Sequence, residues 1–294
     1  MGVSDRKTYE LKIRGGTLEL GKRTLIMGIL NITPDSFSDG GLYAGHAEAV
    51  SHAFELITQG ADILDVGGES TRPGSDPVSL EAELERVVPV IRAIREKSNI
   101  PISVDTNKAE VARQAVAAGA DIINDISSLQ FDPDMPRVAA VTGVPLILMH
   151  MLGTPRTMQK NPVYSSLFSE IIAFLENRVR FAVSNGVDRE QIIIDPGVGF
   201  GKTIAHNLII IRNLEVFSCL DRPILLGVSR KRFIGTILDR KERERELGTA
   251  VADVFGIAGG AHILRVHDVG FHREAAVMAD AIRDGYKIPQ REEH

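Results

Sequence analysis

Eight short runs of aliphatic and β-branched residues, each followed by a longer stretch of helical periodicity, leave few folds open to this chain of 294 residues. The runs are Leu25 to Leu30, Asp62 to Val66, Pro101 to Val104 and Asp121 to Ile126, then Val144 to Met149, Gln191 to Ile194, Pro223 to Val228 and His262 to Val266. Strand followed by helix is the pattern of parallel strands, because the helix carries the chain back to the start of the next strand. Eight such units in roughly 250 residues fit a (β/α)8 TIM barrel. An open doubly wound sheet is the alternative, and it normally has fewer strands.

The intervening stretches support the same reading. In AEAVSHAFELITQGA, Ala49, Val50, Ala53, Phe54 and Ile57 share one helical face, and Gly60 suits the C-terminal cap. Leu80, Leu84, Val87, Val88 and Ile91 recur at helical intervals after Ser79, a suitable N-cap, and Pro89 predicts a kink. A third stretch ends at Gly119, and the longest is expected from about Ser165 to Gly186. Ahead of the first unit, YELKIRGGTLELG reads as a β-hairpin turning at Gly15-Gly16, expected to plug the N-terminal mouth of the barrel. With no linker, low-complexity tract or second core in the sequence, residues 1–294 are expected to form one domain, its core at about 24–284.

Composition narrows the partners. The chain is 44% hydrophobic and 25% charged, ordinary for a soluble globular protein, and its net charge of −5 gives no reason to expect nucleic acid or an anionic membrane. Cys219 is the single cysteine, so no internal disulfide can form. No apolar run approaches the roughly 20 residues of a membrane span, and MGVSDRKTYE has no apolar signal-peptide core. A cytoplasmic protein is the expectation.

Every expected strand stops on polar residues: Asn31, Asp65, Asp105, Asn124-Asp125, Met149-His150, Asp195, Ser229-Arg230-Lys231 and Arg265-Val266-His267-Asp268. In such barrels the chemistry sits at these strand ends and in the loops that follow. Asp105 and Asp195 can equally cap the next helix, and Asn124 can satisfy a turn, but capping does not call for Lys231, Arg265 or His267. Arg265 and His267 are two apart on an extended strand and so share a side, which makes an anion site; the alternative is an Arg265 paired with a neighbouring carboxylate. TPDSFSDGG and ESTRPGSDP carry Phe37, Asp39, Thr71 and Arg72 and are either lids over the barrel mouth or ordinary exposed loops.

Several motifs fail on spacing. PGVGFGKT has Pro196 where a Walker loop needs its first glycine and Lys202 where a dinucleotide fingerprint needs its third, so its glycines are expected to bring backbone close to a flat ligand. The histidines lack metal-cage spacing; a metal here would be a hard ion held largely by substrate phosphate, with Asn31 supplying a neutral oxygen. Ser229 lies in no GxSxG elbow, and RKERERE near residue 240 reads as a solvated helix start or loop.

Taken together, MGILNITPDSFSDGG, DILDVGGESTRPG, ISVDT, IINDI, LMHMLGTPRTMQ, IIIDPGVGFGKT, LLGVSRKRFIG and ELGTAVADVFGIAGGAHILRVHDV resemble the dihydropteroate synthase family over about residues 24–284. A methyltetrahydrofolate corrinoid methyltransferase would share the barrel and some of the acids, but not both long loops with the SRK and RVH pairings.

The resemblance implies a transferase of folate biosynthesis and sulfonamide target that joins 4-aminobenzoate to (7,8-dihydropterin-6-yl)methyl diphosphate. It implies Asp105, Asn124, Met149, Asp195 and Lys231 around the pterin, and Asn31, Thr71, Arg265 and His267 on the diphosphate, with Asn31 facing Mg2+. Phe37, Thr71, Arg72, Pro73 and Ser229 would line the 4-aminobenzoate pocket, with Asp39, Arg72 and Lys231 in catalytic roles. A homodimer joined through helices of the C-terminal half is also implied.

Overall fold

The structure, a computed structural model, describes residues 6–32, 41–70 and 77–285, with the side chains of residues 41–44 outside that description. The strands are β1 (Tyr9–Ile13), β2 (Gly16–Leu20), β3 (Leu25–Asn31), β4 (Ile63–Gly67), β5 (Ile102–Asp105), β6 (Ile122–Asp125), β7 (Leu146–Met149), β8 (Ile192–Asp195), β9 (Leu225–Leu226) and β10 (Ile263–Val266). The helices are α1 (Gly41–Thr58), α2 (Leu80–Arg95), α3 (Ala109–Ala118), α4 (Met135–Thr142), α5 (Leu167–Ser184), α6 (Ile204–Arg212), α7 (Arg232–Leu238), α8 (Glu246–Ala258) and α9 (Val269–Asp284).

β3 to β10 are parallel neighbours in the order β8-β7-β6-β5-β4-β3-β10-β9. A parallel bridge between Ile194 and Ile224, with Ile194 N donating to the Pro223 carbonyl at 3.0 Å, brings β8 to the start of β9 and rounds the sheet into a barrel. All eight expected strands are present. The seventh shrinks from Pro223–Val228 to Leu225–Leu226, since Pro223 has no N–H to donate and Gly227 and Val228 lead into a turn. Ser79 caps α2 by accepting from Ala82 N at 3.2 Å, and Pro89 lies inside a helix that continues to Arg95. Gly41 opens α1 rather than closing the preceding loop, so α1 equals α5 at 18 residues and the expected longest helix is one of two. RKERERE gives a 3-10 turn at Glu242–Glu244 and then the start of α8.

Period-2 alternation separates two apolar layers. Ile26, Leu64, Val104, Ile123, Leu148, Ile194, Leu226 and Leu264 face the helices and form one core with them. Leu25, Met27, Ile63, Ile122, Ile147, Ile193, Leu225 and Ile263 face inward and form another. Leu11, Leu18 and Leu20 of the β1–β2 hairpin join this inner cluster, so the hairpin packs on the barrel's N-terminal end as expected. Burying each of those leucines contributes about 1.5–3 kcal/mol.

Candidate active site

Two residues beyond the inner layer, the same inward phase turns polar on β3 to β6, β8 and β10, while β7 carries Met149. Met27 and Ile29 lead to Asn31, Ile63 to Asp65, Ser103 to Asp105 and Ile122 to Asn124. Ile147 leads to Met149, Ile193 to Asp195 and Ile263 to Arg265. A cleft of about 730 Å³ opens at this end of the barrel. Asn31, Asp105, Asn124, Met149, Asp195, Ser229, Lys231, Arg265 and His267, singled out in the sequence, all line it. Phe37, Asp39, Thr71, Arg72 and Pro73 lie outside the described residues.

One wall is a charged network. Arg265 Nε donates to Asp65 Oδ2 at 2.6 Å, and its Nη2 donates to Asp105 Oδ2 at 2.7 Å. Asn124 Nδ2 donates to Asp65 Oδ2 at 3.2 Å. Of the two readings left open for Arg265, pairing with carboxylates is present, and the pairing holds it in the cleft beside Asp105. Burial pushes Asp105 up to about 7 against the pull of Arg265. Asp65 is fully buried; in the sequence it stands out only as one of the polar strand ends, and its place two residues after Ile63 puts it in the inward phase.

Lys231 and Asp195 form the facing wall. Burial lowers Lys231 to about 8, with Asp195 pulling the other way, and burial raises Asp195. Lys231 Nζ donates to the Val198 carbonyl and sits 4.4 Å over the Phe200 ring, a cation–π contact. Asp195 Oδ1 accepts from Gly197 N at 2.7 Å. Met149 joins Ile126, Met151, Met158 and Phe200 in an apolar cluster, a polarizable surface for a flat ring.

Glycine is required at two positions of PGVGFGK. Gly197 has φ +68°, and a Cβ there would lie 1.8 Å from the His150 carbonyl oxygen; at Gly199, φ +85°, it would meet Lys231 Cδ at 2.7 Å. At both positions the protein's own groups leave no room for a side chain, and Gly199 lines the cleft. Lys202, passed over in the sequence as a failed motif position, is buried against the cleft. Its Nζ lies 2.9 Å from His150 Nδ1 and donates to the Phe200 carbonyl at 3.0 Å, tying this loop to the end of β7. Burial and then Lys202 lower His150 to about 2, so its ring is neutral, and burial lowers Lys202 as well.

Ser229 Oγ lies 2.9 Å from His267 Nδ1 and accepts from His267 N at 3.2 Å, joining the ends of β9 and β10. Asn31 ends β3, and its carboxamide makes no hydrogen bond among the described residues. No cluster of three or more His, Cys, Asp or Glu able to hold a metal occurs among the described residues.

A blind apolar floor under converging amide, carboxylate and cationic groups, with a thioether wall, suits a flat heterocycle carrying an anionic tail. Residues 27–267 match the family described as pterin binding enzyme, which sets the chain among the pterin-binding (β/α)8 barrels. The dihydropteroate synthase of Synechocystis is 50% identical over 281 residues, 95% of this chain and 97% of that protein. The Yersinia pestis dihydropteroate synthase in a sulfonamide complex superposes with a TM-score of 0.88 at 42% identity, covering 94% of this chain and all of that one (100%). The Xanthomonas albilineans enzyme with 4-aminobenzoic acid gives a TM-score of 0.88 at 41% identity over 96% and 100% of the two chains. The chain belongs to the dihydropteroate synthase family.

Proposed function

We propose that this chain, a transferase of folate biosynthesis in the class of sulfonamide targets, joins 4-aminobenzoate to (7,8-dihydropterin-6-yl)methyl diphosphate, giving 7,8-dihydropteroate and diphosphate. The observation that carries the reading is the meeting of Asp105, Asn124, Asp195 and Lys231 with Asn31, Arg265 and His267 in one cleft. Asp105 and Asp195 accept from the amino and ring N–H donors of the pterin edge. Asn124 both donates and accepts, Lys231 donates to ring oxygen or nitrogen, and Met149 packs on the ring face. Arg265 and His267 at the rim stabilise charge on the departing diphosphate. The C–O bond breaks first and its electron pair leaves on diphosphate, which gives an SN1-like reaction. The methylene cation is delocalised into the pterin, the 4-aminobenzoate amine adds its lone pair to that carbon, and the nitrogen sheds one proton. An amine meeting a cation needs no strong base. Phe37, Thr71, Arg72, Pro73 and Ser229 line the 4-aminobenzoate pocket, Thr71 also reaching the diphosphate, with Asp39 and Arg72 assisting at the cation.

The uncommitted Asn31 carboxamide fits Mg2+ held mainly by diphosphate oxygens and water, since that ion keeps several waters and takes few protein ligands. When bound, Mg2+ offsets the negative charge that builds on the leaving group. The protein works as one barrel domain in the cytoplasm, with small-molecule substrates and neither nucleic acid nor membrane as partner. No described helix is long and apolar enough to cross a membrane. It pairs as a homodimer through α8 and α9, where Leu247 (70% exposed), Val251, Val277 and Ile282 (71%) leave apolar side chains in water. Ile282→Asp is expected to give a monomer by sedimentation; a dimer of unchanged affinity would remove this interface.

Labelled 4-aminobenzoate and the pterin diphosphate test the reaction. Label in dihydropteroate, stoichiometric diphosphate release and inhibition by a sulfonamide are expected; a folate product formed by methyl transfer would replace this reading with the corrinoid one. The pH dependence of binding tests the pterin pocket. Protonation turns one Asp105 oxygen from an acceptor into an O–H donor and removes its charge, so affinity for a pterin lacking the diphosphate is expected to fall as the pH drops below about 7. Fluorescence titration of wild type and Asp105→Asn checks this: the acid limb should vanish in the variant, and a limb that persists would assign it elsewhere.

A further inference from the structure

The Ser229–Arg230–Lys231 turn between β9 and α7 is held from behind by a buried polar seam. Arg230 has φ +57°, a left-handed conformation unfavourable for a residue with a Cβ, so something must hold it. Three grips do. Arg230 N donates to Thr249 Oγ1 at 3.2 Å, Arg245 Nη1 donates to the Arg230 carbonyl at 2.8 Å, and Arg230 Nε donates to Glu246 Oε1. Glu246 is itself fixed: its Oε2 lies 2.9 Å from Nε2 of His272 on α9. His272 Nδ1 lies 2.7 Å from Asp253 Oδ2, an ion-pair approach without hydrogen-bond alignment. His272 and Asp253 are fully buried, and Glu246, Thr249 and Asp253 recur at intervals of three and four on the face of α8 that meets α9.

We infer that His272, which does not line the cleft, is a positioning residue: by bridging Glu246 and Asp253 it keeps Glu246 on Arg230 and so holds Ser229 and Lys231 at the substrates. This rests on the reading of Ser229 and Lys231 as substrate contacts. The groups facing the ring are Glu246 and Asp253 from α8 and, through Glu246, Arg230 of the turn; on its own helix the Asp268 carbonyl accepts its backbone N–H. A ring with Glu246 at one nitrogen and Asp253 2.7 Å from the other is favoured as the imidazolium, whose charge both carboxylates attract. Burial opposes that charge, but Asp253 and Glu246 outweigh it and raise the His272 pKa. Loss of the proton as the pH rises removes one donor and loosens the grip on Arg230. Lys231 keeps its own anchors at the Val198 carbonyl and the Phe200 ring, so the effect falls mainly on Ser229 and hence on 4-aminobenzoate.

The test joins a crystal structure of His272→Ala to steady-state kinetics. Arg230 is expected to leave the positive-φ region. The KM for 4-aminobenzoate should rise about tenfold with kcat within threefold, and the alkaline rise in KM expected of wild type should be absent. Leu11→Ala, in the barrel floor, serves as a variant of comparable Tm loss and should hold both constants within twofold. Should His272→Ala fail to fold, Glu246→Gln is read instead, with the same expectations. An unmoved turn with KM within twofold of wild type overturns the inference. A displaced turn with KM unchanged in both His272→Ala and Ser229→Ala supports the positioning role and removes Ser229 from the acceptor pocket.

Discussion

Arg265→Ala is expected to destabilise the protein by about 3–5 kcal/mol, the range for breaking a buried ion pair from one side. Its guanidinium is the shared partner of Asp65 and Asp105, and with alanine there two carboxylates stay inside the barrel with no cation between them. The loss should depend on pH in a definite direction. In the folded protein Asp105 already holds its proton up to about pH 7, above the ordinary carboxylate range. Its contribution to the stability of the unliganded wild type therefore falls as the pH rises from about 4 to about 7. Removing Arg265 takes away the group that lowers this pKa, so the proton is held to still higher pH. The deficit should be larger at pH 8, where the folded variant must hold on Asp105 a proton that the unfolded chain has already lost, than at pH 5. Thermal denaturation of both proteins at the two pH values measures this. Equal deficits would mean that the carboxylates are not what Arg265 stabilises. In assays, the same variant should lose affinity for the pterin diphosphate more than for the plain pterin, and equal losses would remove Arg265 from the anion site.

The second large effect falls on binding. Asp195→Ala and Lys231→Ala are each expected to weaken pterin binding on the order of a hundredfold, about 2–3 kcal/mol, the scale of a charge-assisted hydrogen bond lost in a buried site. The two changes should not add fully, because Asp195 supports the charge on Lys231 against burial. Calorimetric titration with a pterin checks both; normal affinity in either variant would withdraw that residue from the pocket. Lys231→Ala also frees the Val198 carbonyl and the Phe200 face, so its Tm should fall.

The barrel was legible because its cause is local. Alternating apolar runs and helical faces are written in the chain in order, and each of the eight runs forms its strand. The rim was legible for a related reason: Asn31, Asn124, Asp195 and Arg265 stand at strand ends, where only side-chain type is needed to notice them. What escaped notice depends on contacts between distant elements. Asp65 looks like Asp105 in sequence, yet only the register of β4 with β5 and the reach of Arg265 across the barrel make it the buried hub. Lys202 was set aside as a misplaced motif residue, and its partner His150 lies on another loop. That Gly197 faces the His150 carbonyl and Gly199 the Lys231 side chain is equally invisible in PGVGFGK itself. Pairings across about 30 to 200 residues leave no local mark.

The hairpin beneath the strands has a consequence for traffic. With Leu11, Leu18 and Leu20 sealing the far end, a molecule bound for Asn124 and Asp195 has one direction of approach, and whatever leaves must use the same door. The deepest guest has to arrive before anything that settles above it, and the spent tail has to clear the doorway before the next guest can pass.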